Sequence, residues 1–553
     1  MGNDALVVLD TDFDGARFLA ACTRHGGRRL HYIALAPRPV DAGQLPSPWR
    51  AQWPPHVRGL HRMASRDGQV TLDLLIGEPG ASLAQLAVRV DEVMLAWMPP
   101  SMTVLARLMR DGARLQAAHL DDAQRVALWK EGFAFDDSRL RAVFHARQAP
   151  LEPVHDIARR AIVIGAGVAG SAACERLAAR GWQVTLIERH AQPAGEASGN
   201  LAGIFMPLLS RDDNIPTRLA RAAYLFALRE WRRLGGVGTA FIGADCGVLQ
   251  LARDAGHARV QQAVLDAWRY PPEYVRWADA QEAGQLLGGA TPHGGWLFPQ
   301  GGWARPASLC AAMLDACGAR LTRVFSSAAL TLHRAVDGSD AWLVRGAKGV
   351  LLARAPTVIL ANGAGAVAIE QAAQLPLQAL RGQVTHLAVD AGAPQLPLVV
   401  CREAYVTPAS DGIVCAGATY DNDGDPQLRP ASQRENLERL AEIVPGPQVA
   451  ALAYSAPLAG RVGFRCAAPD RLPLAGALPD YPAAGRLEQL ADVPRHAGLY
   501  GLLGYASRGL IWAPLMAELL VSQLDNTPPP LEAMLVDALD PGRFLLKQRR
   551  RAQ

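Results

Sequence analysis

The chain has 553 residues, half of them apolar and a fifth charged, with a formal net charge of +4. This length suffices for two or three domains with substantial cores, and the composition is that of a soluble globular protein. No uninterrupted apolar run reaches the ~18 residues of a membrane span, and no signal-peptide pattern opens the chain. The eight cysteines show neither CxxC spacing nor Cys/His clustering, which argues against a zinc site or a disulfide framework. A cytoplasmic, monomeric protein with no metal centre and no membrane partner is expected, its cysteines serving as small buried hydrophobes.

Residues 1–146 alternate strand-like runs at 6–9, 30–35, 70–76 and 92–96 with helical runs at 17–22, 102–109 and 122–129. That pattern predicts a small α/β domain. Arg24, Arg28 and Arg29 cluster here, as either a nucleic-acid contact or a solvated face. Residues 147–158, with Pro150 and Pro153, read as a linker.

The segment Ala161-Ile162-Val163-Ile164-Gly165-Ala166-Gly167-Val168-Ala169-Gly170 then carries the strongest signal in the chain. A buried strand runs into a glycine turn, a helix is predicted over 171–180, and a second strand over 183–187 ends at Glu188. Gly165 permits the turn, Gly167 a close approach of the backbone to a pyrophosphate, and Gly170 the packing of helix on strand. The helix N-terminus faces the phosphates with unpaired N–H groups. Glu188, about twenty residues past the glycines, suits a ribose diol, with Arg189 beside it.

Three later loops favour FAD, bound non-covalently, over a nicotinamide. Residues 197–203 (Ala-Ser-Gly-Asn-Leu-Ala-Gly) form a small polar loop able to run under a flat ring system, with Ser198, Gly199, Asn200 and Gly203 as candidate contacts. A return strand at 358–361 closes on Asn362 and Gly363, and a final turn holding Gly504, Ser507 and Gly509 opens a helix over 510–523. That helix N-terminus is able to face the flavin end that gains negative charge on reduction. A helical stretch is also expected over 217–234, and Lys547-Gln548-Arg549-Arg550-Arg551 ends the chain as a basic tail at 547–553, suited to a polyanion or simply frayed into solvent.

Together these segments resemble the D-amino-acid-oxidase superfamily, whose FAD-binding Rossmann domain is interrupted by an antiparallel substrate-binding sheet. The resemblance sharpens at Gly294-Gly295-Trp296-Leu297-Phe298-Pro299-Gln300-Gly301-Gly302-Trp303, Arg381-Gly382-Gln383, Gly460-Arg461-Val462-Gly463-Phe464-Arg465-Cys466, Pro469-Asp470-Arg471-Leu472-Pro473-Leu474 and Ser507-Arg508-Gly509-Leu510. These motifs are similar to the oxidoreductase half of the bifunctional enzymes that build 5-methylaminomethyl-2-thiouridine at the tRNA wobble position, the MnmC family. The resemblance covers residues 159–548, with dinucleotide-binding parts at 159–235, 350–370 and 495–525. It implies oxidative removal of the carboxymethyl group from 5-carboxymethylaminomethyl-2-thiouridine in tRNA. It also implies Arg465, with Arg508 second, as holders of the substrate carboxylate, because a guanidinium pairs bidentately with that group. Arg381 and Gln383 either line the site or stabilise a turn, and Trp296, Phe298 and Trp303 either stack on a ring or fill a core. A free glycine-like amine oxidase and a non-catalytic tRNA-binding flavoprotein are the competing readings.

The same resemblance makes residues 1–146 a degenerate S-adenosylmethionine methyltransferase-type domain of Rossmann-like α/β fold. Where the family has a glycine-rich turn, this chain has Asp10-Thr11-Asp12-Phe13-Asp14-Gly15. Ala36 stands at the ribose-binding acid and Ala96 at the catalytic-site Asp. Aspartates in the turn crowd the backbone and put negative charge beside the cofactor's carboxylate. A retained scaffold without methyl transfer is expected, with S-adenosylmethionine binding in doubt.

Overall fold

A computed structural model describes residues 5–147, 158–444, 458–483 and 485–552. The expected linker at 147–158 therefore lies almost wholly outside the described residues. The chain forms two compact units: Met1–Ala158 with Glu518–Ala538, and Arg159–Ala517 with Leu539–Gln553. No helix among the described residues is long and apolar enough to cross a membrane.

The first unit is an eight-stranded mixed sheet whose centre is Leu6–Asp10, held in parallel between Leu30–Ala36 and Val90–Leu95. Leu6–Asp10 and Leu30–Ala36 are covered on both faces and read as near-continuous apolar runs; all seven residues of Leu30–Ala36 are buried. The helices Gly15–Arg24, Met102–Leu108 and Asp122–Lys130 stand where periodicity places them. Four further strands, Gly59–Ala64, Met109–Ala117, Phe133–Phe135 and Arg141–Phe144, extend the sheet beyond the sequence reading. Residue 96 lies past the end of Val90–Leu95, and Met109 opens a strand instead of closing a helix. In this unit Arg62 bridges Asp73 at 2.7 Å and Glu518 at 3.1 Å, and donates to the Pro528 carbonyl at 2.7 Å. That network ties in the C-terminal segment.

The second unit has a six-stranded sheet centred on Arg160–Ile164, which lies in parallel between Gln183–Ile187 and Thr357–Leu360. Beyond Thr357–Leu360 come Arg495–Leu503 and Leu474–Pro479, and Leu321–Val324 forms the other edge. A separate eight-stranded, mainly antiparallel sheet contains the long pair Gln378–Ala388 and Ala459–Ala467. The helix Val168–Ala179 starts three residues before the expected 171, because Gly170 lies in its first turn. The helices Ile215–Arg233 and Gly509–Leu524 complete the expected long helices.

Candidate active site

The fingerprint glycines have the steric demands their spacing implies. Gly165 has φ +103°, and a Cβ there would lie 2.8 Å from the Ala361 carbonyl oxygen. A Cβ on Gly170 would lie 1.8 Å from the Gly165 carbonyl oxygen. These two positions lock the turn against the return strand and the helix against the turn. Gly167 caps the helix without a side-chain bond, and the Val168 N–H donates to the Ser198 hydroxyl at 3.1 Å. Ser198 therefore stands at the dipole's positive end. Buried Glu188 accepts from the Ala166 N–H at 2.7 Å and the His190 N–H at 2.9 Å, which fixes its carboxylate at the rim while lone pairs remain for a diol. Arg189 is 57% exposed and paired with Glu196.

Close approaches join the remaining loops to this turn. A Cβ on Gly363 would lie 3.7 Å from Cys466 Cβ, and the Ala506 N–H donates to the Cys466 carbonyl at 2.7 Å. Gly509 abuts Val168, while Gly203 abuts Leu510. The four glycine segments at 165–170, 197–203, 362–365 and 504–509 thus converge. Arg461, whose role sequence reading missed, braces the second of them. It donates to the Gly195 carbonyl at 3.0 Å and to Asn200 Oδ1 at 3.3 Å, and takes the space a side chain on Gly199 would need.

Two buried polar atoms in these segments have no hydrogen-bond partner among the described residues: Asn362 Oδ1 and Tyr505 Oη. A buried unsatisfied atom costs about 1–3 kcal/mol unless something fills its valence. Two of them within glycine-lined loops fit a large polar cofactor such as FAD. Ser507 is exposed, and it makes no hydrogen bond among the described residues.

Beside the cradle lies a cationic clamp. The Arg465 guanidinium stacks 4.4 Å over the Tyr420 ring and donates to the Thr419 carbonyl at 3.2 Å. Arg508 donates weakly to the Met206 carbonyl at 3.4 Å, with Tyr420 and Cys401 as its electrostatic neighbours. Neither arginine has a carboxylate partner among the described residues. Burial lowers the Arg508 pKa and pushes the Cys401 thiol up to about 12, so no thiolate is available to compensate the guanidinium. Burial also raises the Tyr405 phenol, which has Arg465 and Tyr420 as neighbours. Arg508, desolvated by burial, and half-buried Arg465, neither with a counter-ion among the described residues, make a site for an anion.

The Arg381-Gly382-Gln383 motif supports this clamp from behind. Arg381 is fully buried and holds Asp421 at 2.9 Å, the Asp425 carbonyl at 2.8 Å and the Gln427 carbonyl at 2.6 Å. Gln383, equally buried, binds Arg429 through both ends of its amide. These two residues pin the loop that presents Tyr420. Gly382 provides space: a Cβ there would lie 1.8 Å from Arg465 Nη1. Trp296 and Phe298 are buried in a mutual edge contact, and Trp296 Nε1 donates to the Gln261 carbonyl at 3.0 Å, which places both in a core.

The corresponding turn of the first unit is closed on itself. Asp10, fully buried, receives Arg17 at 3.0 and 3.1 Å and the Tyr32 hydroxyl at 2.7 Å. Burial pushes the Asp10 carboxyl above its ordinary range, and the Arg17 and Tyr32 hydrogen bonds work in the opposite direction. Trp97 donates to the Thr11 carbonyl at 2.6 Å, Arg38 reaches Asp12 at 3.3 Å, and the Phe13 ring packs 5.5 Å from Trp53. Ala36 is buried at the end of its strand, and Ala96 is exposed.

Residues 160–523 match the family model described as FAD dependent oxidoreductase (DAO). Among solved structures, the chain is similar to glycine oxidase from Geobacillus kaustophilus (TM-score 0.56, 21% identity, 69% of this chain and 99% of that one). It is also similar to iminodiacetate oxidase from Chelativorans sp. BNC1 (TM-score 0.51, 26% identity, 67% and 96%). Two relatives named tRNA 5-methylaminomethyl-2-thiouridine biosynthesis bifunctional protein MnmC extend the likeness over nearly the whole chain. The one from Azoarcus sp. is 42% identical over 99% of this chain and 91% of its own length. The one from Burkholderia thailandensis is 43% identical over 91% and 81%. With a flavin-type cradle in its second unit and relatives that match it along nearly its whole length, the chain belongs to the MnmC family.

Proposed function

We propose that this chain is a cytoplasmic FAD-dependent enzyme that converts the 5-carboxymethylaminomethyl group of a tRNA wobble 2-thiouridine into an aminomethyl group, and that its N-terminal unit has lost the methylation that follows. In this reading residues 1–146 are a methyltransferase-type scaffold and residues 159–548 the oxidoreductase. The observation that carries it is the pair of buried Arg508 and half-buried Arg465, without a carboxylate partner among the described residues, beside the convergent glycine loops. The relatives' names point to the same uridine. Iminodiacetate, the substrate in the name of one structural neighbour, is itself an N-carboxymethyl amine.

FAD, when bound, supplies the two-electron acceptor for the N–CH2 unit of the substrate. The cradle that would hold it consists of Gly165, Gly167 and Gly170, with Ser198 at the helix N-terminus, Glu188 and Arg189 after the second strand, and Asn362, Gly363, Gly504, Ser507 and Gly509 in the later turns. Gly199, Asn200 and Gly203 would complete it. Arg465 and Arg508 take the substrate carboxylate between them and fix the methylene beside it, which removes most of the orientational freedom of a short flexible arm. Two guanidiniums against one carboxylate leave a net positive field at the amine, favouring its neutral, oxidisable form. Oxidation takes a hydride from the methylene carbon and a proton from nitrogen. Water adds to the resulting C=N bond, and C–N cleavage releases the aminomethyl uridine and a two-carbon aldehyde acid.

In the N-terminal unit, Arg17, Trp97 and Arg38 satisfy the groups a methyl donor's methionine moiety would need. Nucleoside analysis of tRNA from a strain lacking this protein tests the reading, with the carboxymethylaminomethyl form expected to accumulate. Purified protein with S-adenosylmethionine and that tRNA is expected to stop at the aminomethyl nucleoside. A methylated product overturns the second half of the proposal, and turnover of glycine or sarcosine without tRNA overturns the first.

A further inference from the structure

The last helix, Arg543–Ala552, is not a frayed tail. Leu545 and Leu546 are buried in the core beneath the six-stranded sheet, with Phe544 packed against them. Each buried leucine stabilises by about 1.5–3 kcal/mol, enough to hold a short helix down. Polar anchors fix its rotation. Arg543 binds both oxygens of Asp470 at 2.9 and 3.0 Å and donates to the Leu472 carbonyl at 3.1 Å, while Arg550 donates to the Glu488 carbonyl.

Arg543, Lys547, Arg550 and Arg551 follow the i, i+4, i+7, i+8 spacing that keeps one helical face aligned. With Leu490 and Leu546 they line a surface cavity of about 270 Å³. Lys547 and Arg551 are exposed and have no acidic partner among the described residues. A rigid row of cations with free charges suits a regularly spaced polyanion.

The anchors also connect this face to the candidate active site. Asp470 follows Arg465 by five residues, and the Leu472 carbonyl that Arg543 caps would lie 3.6 Å from a Cβ on Gly504, the first residue of the turn that carries Arg508. A uridine bound at that site brings its neighbouring phosphates with it.

We propose that this basic face of the C-terminal helix docks the phosphate backbone of the tRNA whose modified uridine enters the flavin site, an inference that rests on the function proposed above. The test compares wild-type holoenzyme with the double variant Lys547→Ala/Arg551→Ala in tRNA-binding titrations across a salt series. Flavin content and melting temperature are followed as controls of folding. The expected result is about tenfold weaker tRNA binding, a salt slope smaller by about 1.5, and a raised KM for tRNA at unchanged kcat. Arg549→Ala removes an equal charge from outside the aligned face, and a smaller loss than for Arg551→Ala alone is expected.

Binding and slope unchanged in the double variant, or equal losses for Arg549→Ala and Arg551→Ala, overturn the docking face while leaving the proposed function intact. Wild-type protein that fails to bind tRNA at low salt overturns both. Binding of wild-type protein to phosphatidylserine-containing vesicles that excess tRNA does not displace overturns the RNA assignment in favour of a lipid surface.

Discussion

The chain contains two strand–turn–helix units at the same topological position, and they differ in how the turn is satisfied. Leu6–Asp10 and Arg160–Ile164 each lie at the centre of a sheet between two parallel neighbours, where open α/β sheets bind their ligands. After Arg160–Ile164, glycines leave a bare helix N-terminus, and nearby polar atoms go unpaired. After Leu6–Asp10, Arg17, Tyr32, Trp97 and Arg38 occupy the polar groups of the turn. Strand packing preserves the frame in both units. The capacity to hold a nucleotide depends on a handful of turn residues, which change without disturbing the sheet.

The sharpest way to break this comparison is to place side chains in both turns. Gly170→Val pushes atoms into the Gly165 carbonyl and is expected to abolish flavin absorbance. Gly15→Ala, whose Cβ meets only the end of the Leu45 side chain at 3.3 Å, is expected to change stability by under about 1 kcal/mol, because Ala's better helix propensity offsets the tight contact. Retained flavin in Gly170→Val would remove the steric basis of the cradle. Next, Arg62→Ala removes the guanidinium that buried Asp73 and Glu518 share, while His31 stays 2.7 Å from Asp73, and should destabilise the first unit by about 3 kcal/mol in denaturant titrations, with bound flavin unchanged before unfolding.

A smaller effect separates cradle from clamp. Arg465→Lys and Arg508→Lys are expected to keep full flavin and lose about 10- to 100-fold in kcat/KM, the equivalent of about 1.5–3 kcal/mol for a charged hydrogen bond. Flavin loss in either variant would merge the two features into one. The smallest effect is acid lability in the second unit. Burial alone would raise the Glu175 pKa, but Arg176 and Arg233 more than offset it and hold the carboxyl at about 2. Its folded-state pKa being depressed, the stabilisation is present above pH about 4.5 and lost as pH falls toward about 2. Flavin release on denaturation should report about 2 kcal/mol less stability at pH 3 than at pH 7, and Glu175→Gln should flatten that slope.

The glycine segments were legible because their demands are local: φ +103° at Gly165 and a blocked Cβ at Gly170 follow from a few neighbouring residues. Glu188 was legible for the same reason. Tyr420, Tyr405 and Met206 were not, because they reach Arg465 and Arg508 only through strand pairings between distant segments, such as Leu380 with Arg465 and Cys401 with Tyr405. Arg381 and Gln383 stood in a recognisable motif, yet their orientation toward the loop at 419–429 is a tertiary fact. Met109–Ala117 escaped notice because exposed Asp111, Gly112, Arg114 and Gln116 interrupt its apolar run.

The inclusion of Glu518–Ala538 in the first unit has a consequence for dissection. A cut anywhere between residues 147 and 158 yields two polypeptides: the longer contains the whole second unit, and the shorter lacks part of the first. The N-terminal fragment would leave Arg62 without Glu518, Ser522 and the Pro528 carbonyl, with Asp73 as its remaining carboxylate. The longer fragment would retain an orphaned segment that belongs to its missing counterpart. Recombining the two pieces is therefore a fragment-complementation reaction, and a gene split at that point leaves the N-terminal piece dependent on a segment that the longer one keeps.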